Sequence, residues 1–212
     1  MGEGPPHRGS PDDMATFGCV FVDGRMAAFK KDMDICLKPL RLTATRTTHA
    51  YFPALAACCS TIEYLTGLWR GNLRDIGWQQ VADWARRFMD QPEYDREAMR
   101  ILMLVFRNPV AHRGIASGVW VDDDRGAGGH GRRMTWQVLA DAHHPGCEVV
   151  PEPGELTKDP PWPCPYTHRV RIHLKRLSLD IQAGAARYKE RLREDANLQR
   201  RFRDCMRDLY PV

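Results

Sequence analysis

No stretch of this chain is apolar for the length of a membrane span, and its first residues contain no apolar leader core. The expectation is a chain with no membrane segment, placed by default in the cytoplasm. Lysine is scarce, with six against 25 arginines, and the net charge of +4 is modest. Guanidinium forks suit phosphates and planar carboxylates better than ammonium groups do. A GC-rich genome whose codons favour arginine is the alternative account of the same ratio. Cys-x-x-Cys is absent and the seven cysteines are an odd number, which argues against a disulfide framework and for reduced thiols packed as small core residues. No internal repeat appears, and no Walker-type lysine follows the glycines of 126–131, so a nucleotide-phosphate cradle there is not expected.

What is present is enough apolar residue, 43% of 212, for one packed domain. Residues 1–13 (MGEGPPHRGSPDD) read as a disordered tail and 14–212 as a single domain. Its helical core spans 14–114. Met26, Phe29, Met33 and Cys36/Leu37 form a stripe at helical spacing from Asp23 to about Leu40. Thr47–Trp69 is a second helix, capped by Thr47 or Thr48, with Pro53 near its first turn and Gly71 as its stop. Gly77–Asp90 is a short amphipathic helix. Glu93–Phe106 is a fourth, so apolar through Ile101–Phe106 that burial on every side is expected. Short joins between them imply an antiparallel bundle.

After Gly114 the pattern changes. Ser117–Val121 and Met134–Leu139 read as two strands joined by a polar, glycine-rich hairpin loop. His143–Pro165, rich in proline and without period, reads as an irregular surface connection. A short strand follows at Val170, Ile172 and Leu174, and the span 174–209 reads as a C-terminal helix. The expected architecture is therefore mainly α, with a small β-hairpin insertion and loop at 115–173. The arginines of 190–209 are interleaved with Glu and Asp, which favours a solvated face over a nucleic-acid groove.

The chemistry concentrates where the fourth helix ends, in Arg107-Asn108-Pro109-Val110-Ala111-His112. A histidine titrates near neutrality and can move the proton of an RNA 2′-hydroxyl or of the leaving oxygen. A fixed guanidinium can oppose the phosphate charge of the transition state. Five residues apart on an unbroken α-helix, the two side chains would diverge by about 140°. Pro109 should end or kink the helix and let them turn together. Glu63, among apolar residues of the second helix, reads as either a solvated carboxylate or one that orients an active-site group.

These residues resemble the R-x4-6-H motif of the HEPN superfamily, in which a polar residue such as Asn108 often follows the arginine. Phe52–Gly71 resembles an earlier core helix of those domains, and the likeness covers about 15–114 and the C-terminal helix. The resemblance implies a HEPN-like antiparallel bundle and a homodimer in which two motifs meet. It implies metal-independent endoribonuclease activity without cofactor, as a toxin or other defence component with an antitoxin or another protein partner. His112 would be the general acid/base, Arg107 the phosphate clamp and Asn108 a positioning residue, with Glu63 in support. Arg113, Arg125, His130, Arg132 and Arg133 are candidate RNA contacts. The alternative is a HEPN-like module that binds RNA, a nucleotide or a protein without cutting. A third arrangement, His144-x2-Cys147 with Cys164-x3-His168, has zinc-ligand chemistry but no standard finger spacing, so no metal is the better expectation.

Overall fold

The computed structural model describes residues 11–41, 47–92, 94–107, 118–122, 131–156 and 162–210. Helix α1 (Pro11–Cys36) begins inside the stretch expected to be a tail and starts twelve residues before the helix expected from Asp23. A short ladder pairs β1 (Leu40–Arg41) with β2 (Thr47–Thr48), so the threonines expected to cap the next helix lie in a strand. Helix α2 (Tyr51–Arg70) stops at Gly71, whose φ of 85° is the left-handed conformation open to glycine without strain. The Gly71 N–H donates to the Gly67 carbonyl, closing the last turn. Helix α3 (Trp78–Phe88) starts where Gln80 Oε1 accepts the Gly77 N–H at 2.8 Å.

Helix α4 (Arg96–Ile101) is capped by Asp95, which accepts the Ala98 N–H at 2.8 Å. The chain then widens into a π-helical turn, Leu102–Arg107. That change of winding breaks the expected all-round burial. Met103 and Phe106 stay buried, while Leu104 is 47% exposed.

A four-stranded mixed sheet follows: β3 (Trp120–Asp122), β4 (Arg132–Leu139), β5 (Cys147–Leu156) and β6 (Cys164–His173), in the order β3-β4-β6-β5. β3 pairs antiparallel with β4, β4 parallel with β6, and β5 antiparallel with β6. The sheet is a layer of the fold, so a helical bundle carrying a small β-hairpin is not the architecture; the chain is α+β. The connection expected to be irregular contains the ten-residue strand β5. Its prolines are tolerated because β5 is an edge strand and its register shifts between Pro151 and Gly154, which is where a strand can accommodate proline. One face of the sheet buries Met134, Val138, Cys147, Val170 and Ile172 in the same core as the helices. The opposite face of β5 and β6 carries an ion-pair ladder in which Arg169 and Arg171 meet Glu152 at 3.1 and 2.8 Å.

β6 passes directly into α5 (Leu174–Glu194), and α6 (Ala196–Leu209) follows. The expected single C-terminal helix is broken at Asp195. Its backbone is extended, and its carboxylate accepts the N–H groups of Asn197 and Leu198 at 2.9 and 3.1 Å, which restarts the helix. α5 packs on α1, α2 and α3, and its buried Leu177, Ile181, Ala185, Tyr188 and Leu192 form the spine of the core.

Candidate functional site: the Glu63–Arg107 pair

Arg107 is the last residue of the π-helical turn and Glu63 lies two-thirds of the way along α2. Two contacts fix their supports. The Cys59 thiol points at the Leu102 carbonyl at 3.8 Å, joining α2 to the start of the turn. The Phe106 ring meets Trp120 and Trp136 edge-on at 6.3 and 6.2 Å, anchoring the residue before Arg107 on the sheet. Burial pushes the Cys59 thiol up to about 12, with the Glu63 charge acting in the same direction.

From these supports the two side chains meet fork to fork. Arg107 Nε donates to Glu63 Oε2 at 2.9 Å and Nη2 donates to Oε1 at 3.0 Å. The side chains are 36% and 24% exposed, so the pair reaches solvent while its planar geometry is fixed. A π-helical turn is uncommon and is found often at functional sites. Glu63, read from the sequence as either a solvated carboxylate or one that orients a neighbouring group, keeps partial contact with solvent and pairs with Arg107.

A second, more buried cluster stands on α4 and the β3–β4 hairpin. Asp122, 3% exposed, accepts Arg100 Nη1 and Nη2 at 2.8 and 2.9 Å and Arg132 Nη2 at 2.7 Å. Arg132 also bonds Glu97. Burial alone would raise the Asp122 carboxyl, but hydrogen bonds from Arg100 and Arg132 outweigh it and hold it below the usual 3.8. Arg132, proposed from the sequence as an RNA contact, is therefore engaged inside the protein. Arg133 is exposed at its guanidinium contact, donating Nε to the Pro165 carbonyl at 2.7 Å. Asn108, His112, Arg113, Arg125 and His130 lie outside the described residues.

The weak metal candidates do not converge. Cys147 pairs with Ile172 and Cys164 with Leu156, so the two cysteines sit at opposite ends of the β5–β6 ladder, roughly 26 Å apart along a strand. His168 lies opposite Pro151, and His144 Nε2 faces Gln91 Oε1 at 3.4 Å. Among the described residues no group of three or more His, Cys, Asp or Glu is placed to hold a metal ion.

One arrangement has no signal in the sequence. His173, 4% exposed, donates Nδ1–H to Asp141 Oδ1 at 2.5 Å, and the His143 ring lies 5.1 Å from its own. Burial would raise the Asp141 carboxyl, but the His173 bond and the His143 backbone N–H hold it below the usual range. The partners are 32 positions apart and meet only because β4 and β6 pair in parallel. No known protein family, curated protein or solved structure matches this chain.

Proposed function

We propose that the chain is an endoribonuclease of the HEPN type that works as a homodimer without a metal, as a toxin or defence component. The observation that carries this reading is the bidentate Glu63–Arg107 pair at the end of the π-helical turn. A guanidinium held by a carboxylate fork is pre-oriented, so little freedom is lost when a phosphate meets it. His112 follows five positions later in the sequence and supplies the proton transfer, taking the 2′-hydroxyl proton or protonating the leaving oxygen. Attack of the 2′-oxygen on phosphorus breaks the bond to the 5′-oxygen and leaves a 2′,3′-cyclic phosphate. The exposed Leu104, three residues before Arg107, supplies an apolar contact for a second copy beside the same pair.

A second reading rests on the same pair. Glu63 offsets the charge of Arg107 and takes two of its N–H directions, which lowers the charge available to a transition state and favours RNA binding without cleavage. Incubating mixed RNA with wild type, His112→Ala and Glu63→Gln in excess EDTA separates the two. Under the nuclease reading wild type cleaves and leaves cyclic phosphate ends. His112→Ala then loses about 10²- to 10⁴-fold, and Glu63→Gln is slower while its RNA retention is little changed. Intact RNA with salt-sensitive retention by wild type supports the binding reading. Neither cleavage nor retention refutes both.

A further inference from the structure

A groove of about 690 Å³ opens between the C-terminal end of α1 and the first turns of α5, with His49 and the Ala140–Asp141 corner closing it. Three of the chain's six lysines, Lys30, Lys38 and Lys175, line it. Several arginines, among them Arg100, Arg107, Arg132, Arg169, Arg171 and Arg176, instead bind a carboxylate of the same molecule. Among the described residues none of the three groove lysines makes an ion pair, although Lys189 binds Asp23. In an arginine-rich chain this gathers compact ammonium charges, which suit a terminal phosphate, in one concavity. Lys175 sits in the first turn of the 21-residue α5, where the helix dipole adds to the positive field.

The groove also offers acceptors. Asp141 Oδ1 is taken by His173 and the His143 N–H, whereas its Oδ2 makes no hydrogen bond among the described residues and the side chain is 56% exposed. Asp34 lines the same groove from α1. Carboxylates beside ammonium groups suit a ligand that carries hydroxyl donors as well as phosphate. Leu37, Pro39 and Leu179 supply an apolar side, and the volume falls within the ordinary range for small-molecule sites.

We propose that this groove binds a sugar phosphate: a phosphate monoester held by Lys30, Lys38 and Lys175, with sugar hydroxyls donated to Asp141 and Asp34. The same chemistry is found on a free sugar phosphate, on a nucleotide and at the 5′ end of an RNA strand. The site is independent of the Glu63–Arg107 pair, and it stands whether or not that pair cleaves RNA.

The test is calorimetric titration of the full chain with ribose 5-phosphate, 5′-AMP, adenosine and an RNA octamer with or without a 5′-phosphate. At least one of the phosphorylated probes binds, adenosine binds at least tenfold more weakly than 5′-AMP, and any affinity the octamer gains from its 5′-phosphate is lost in Lys38→Gln/Lys175→Gln. Lys38→Gln/Lys175→Gln weakens binding at least tenfold, and Asp141→Asn weakens the sugar phosphate more than inorganic phosphate. Arg107→Gln leaves the binding of ribose 5-phosphate and 5′-AMP unchanged. Which phosphorylated probe binds tightest identifies the source. No binding of any phosphorylated probe at millimolar concentration overturns the proposal. So does equal binding by the double lysine variant, or loss confined to Arg107→Gln. The lysines are exposed, and matching thermal melts of wild type and variants guard against a folding defect; Lys30→Gln provides an independent repeat.

Discussion

Replacing Asp122 by asparagine removes one charge at the base of the β3–β4 hairpin without changing side-chain size. The carboxylate accepts three charge-assisted hydrogen bonds, two from Arg100 and one from Arg132, at 2.7 to 2.9 Å. An amide keeps one acceptor oxygen and turns an NH2 group toward guanidinium N–H donors. Breaking a buried pair by removing one partner costs about 3–5 kcal/mol. Arg100 and Arg132 are 16% and 30% exposed, and Arg132 keeps Glu97, so the expected loss lies lower, at about 2–3 kcal/mol. For a chain of this size that is a fall in Tm of roughly 4–12 °C.

The pH dependence gives the prediction its edge. The Asp122 carboxyl lies below its ordinary 3.8 in the folded protein. Its contribution is therefore complete above the unfolded-state value and is lost as pH falls through the lower folded value. Urea unfolding followed by tryptophan fluorescence should show a constant gap between wild type and Asp122→Asn from pH 7 to pH 5. The gap should begin to narrow as the pH drops below about 3.8 and close once it falls below the lower folded-state value. A gap under about 1 kcal/mol at pH 7 would mean that the cluster is too solvated to matter. A gap unchanged in acid would mean that packing, not charge, holds the hairpin on α4.

Two further perturbations test the packing. Gly146→Ala would place a methyl group 2.2 Å from Tyr94 Oη and 2.9 Å from the Leu177 backbone nitrogen. The Tyr94 hydroxyl donates to Asp180 at 2.6 Å, so it has little room to yield, and a thermal melt should show a loss of about 1–3 kcal/mol or more. Cys58, Cys59, Cys147 and Cys205 are buried, and burial pushes their thiols up, Cys59 and Cys205 to about 12. Alkylation at pH 8 mapped by mass spectrometry should leave these four unmodified in the native protein and label them after unfolding; native labelling of Cys59 would show that α2 parts from the π-helical turn.

How far the sequence specifies this fold depends on the kind of signal each element leaves. Gly71 ends α2 as its position suggested, since a left-handed stop is a local requirement. The β3–β4 hairpin is also local and was legible. The start of α1 left a signal that the low apolar content hid: proline followed by two aspartates is a helix beginning. Asp195 is likewise an N-cap residue inside an unbroken apolar period, and the cap prevails over the period. β5 was illegible because Pro151 and Pro153 read as breakers, and only pairing with β6 reveals an edge strand where they are tolerated. The parallel match of β4 to β6 has no local signal at all, and it changes the fold class.

The same distinction separates the two halves of the candidate site. Arg107 was legible from its place after an apolar run, but its orientation was not, because an α-helical projection assumes a winding that the chain abandons at Leu102. Glu63 was legible only as an oddity, a carboxylate among apolar neighbours, and a neighbour 44 positions away explains it. The π-helical turn connects the two facts. Phe106 must stay buried against Trp120 and Trp136 while Arg107 must reach Glu63 at the surface, and the altered winding meets both demands within one turn. If so, forcing α-helical winding by deleting one residue of 102–105 should swing Arg107 off Glu63. Under the nuclease proposal, RNA cleavage should then fall as far in the deletion as in Glu63→Gln, with the two changes non-additive when combined. Additive losses would show that the winding and the carboxylate serve separate ends.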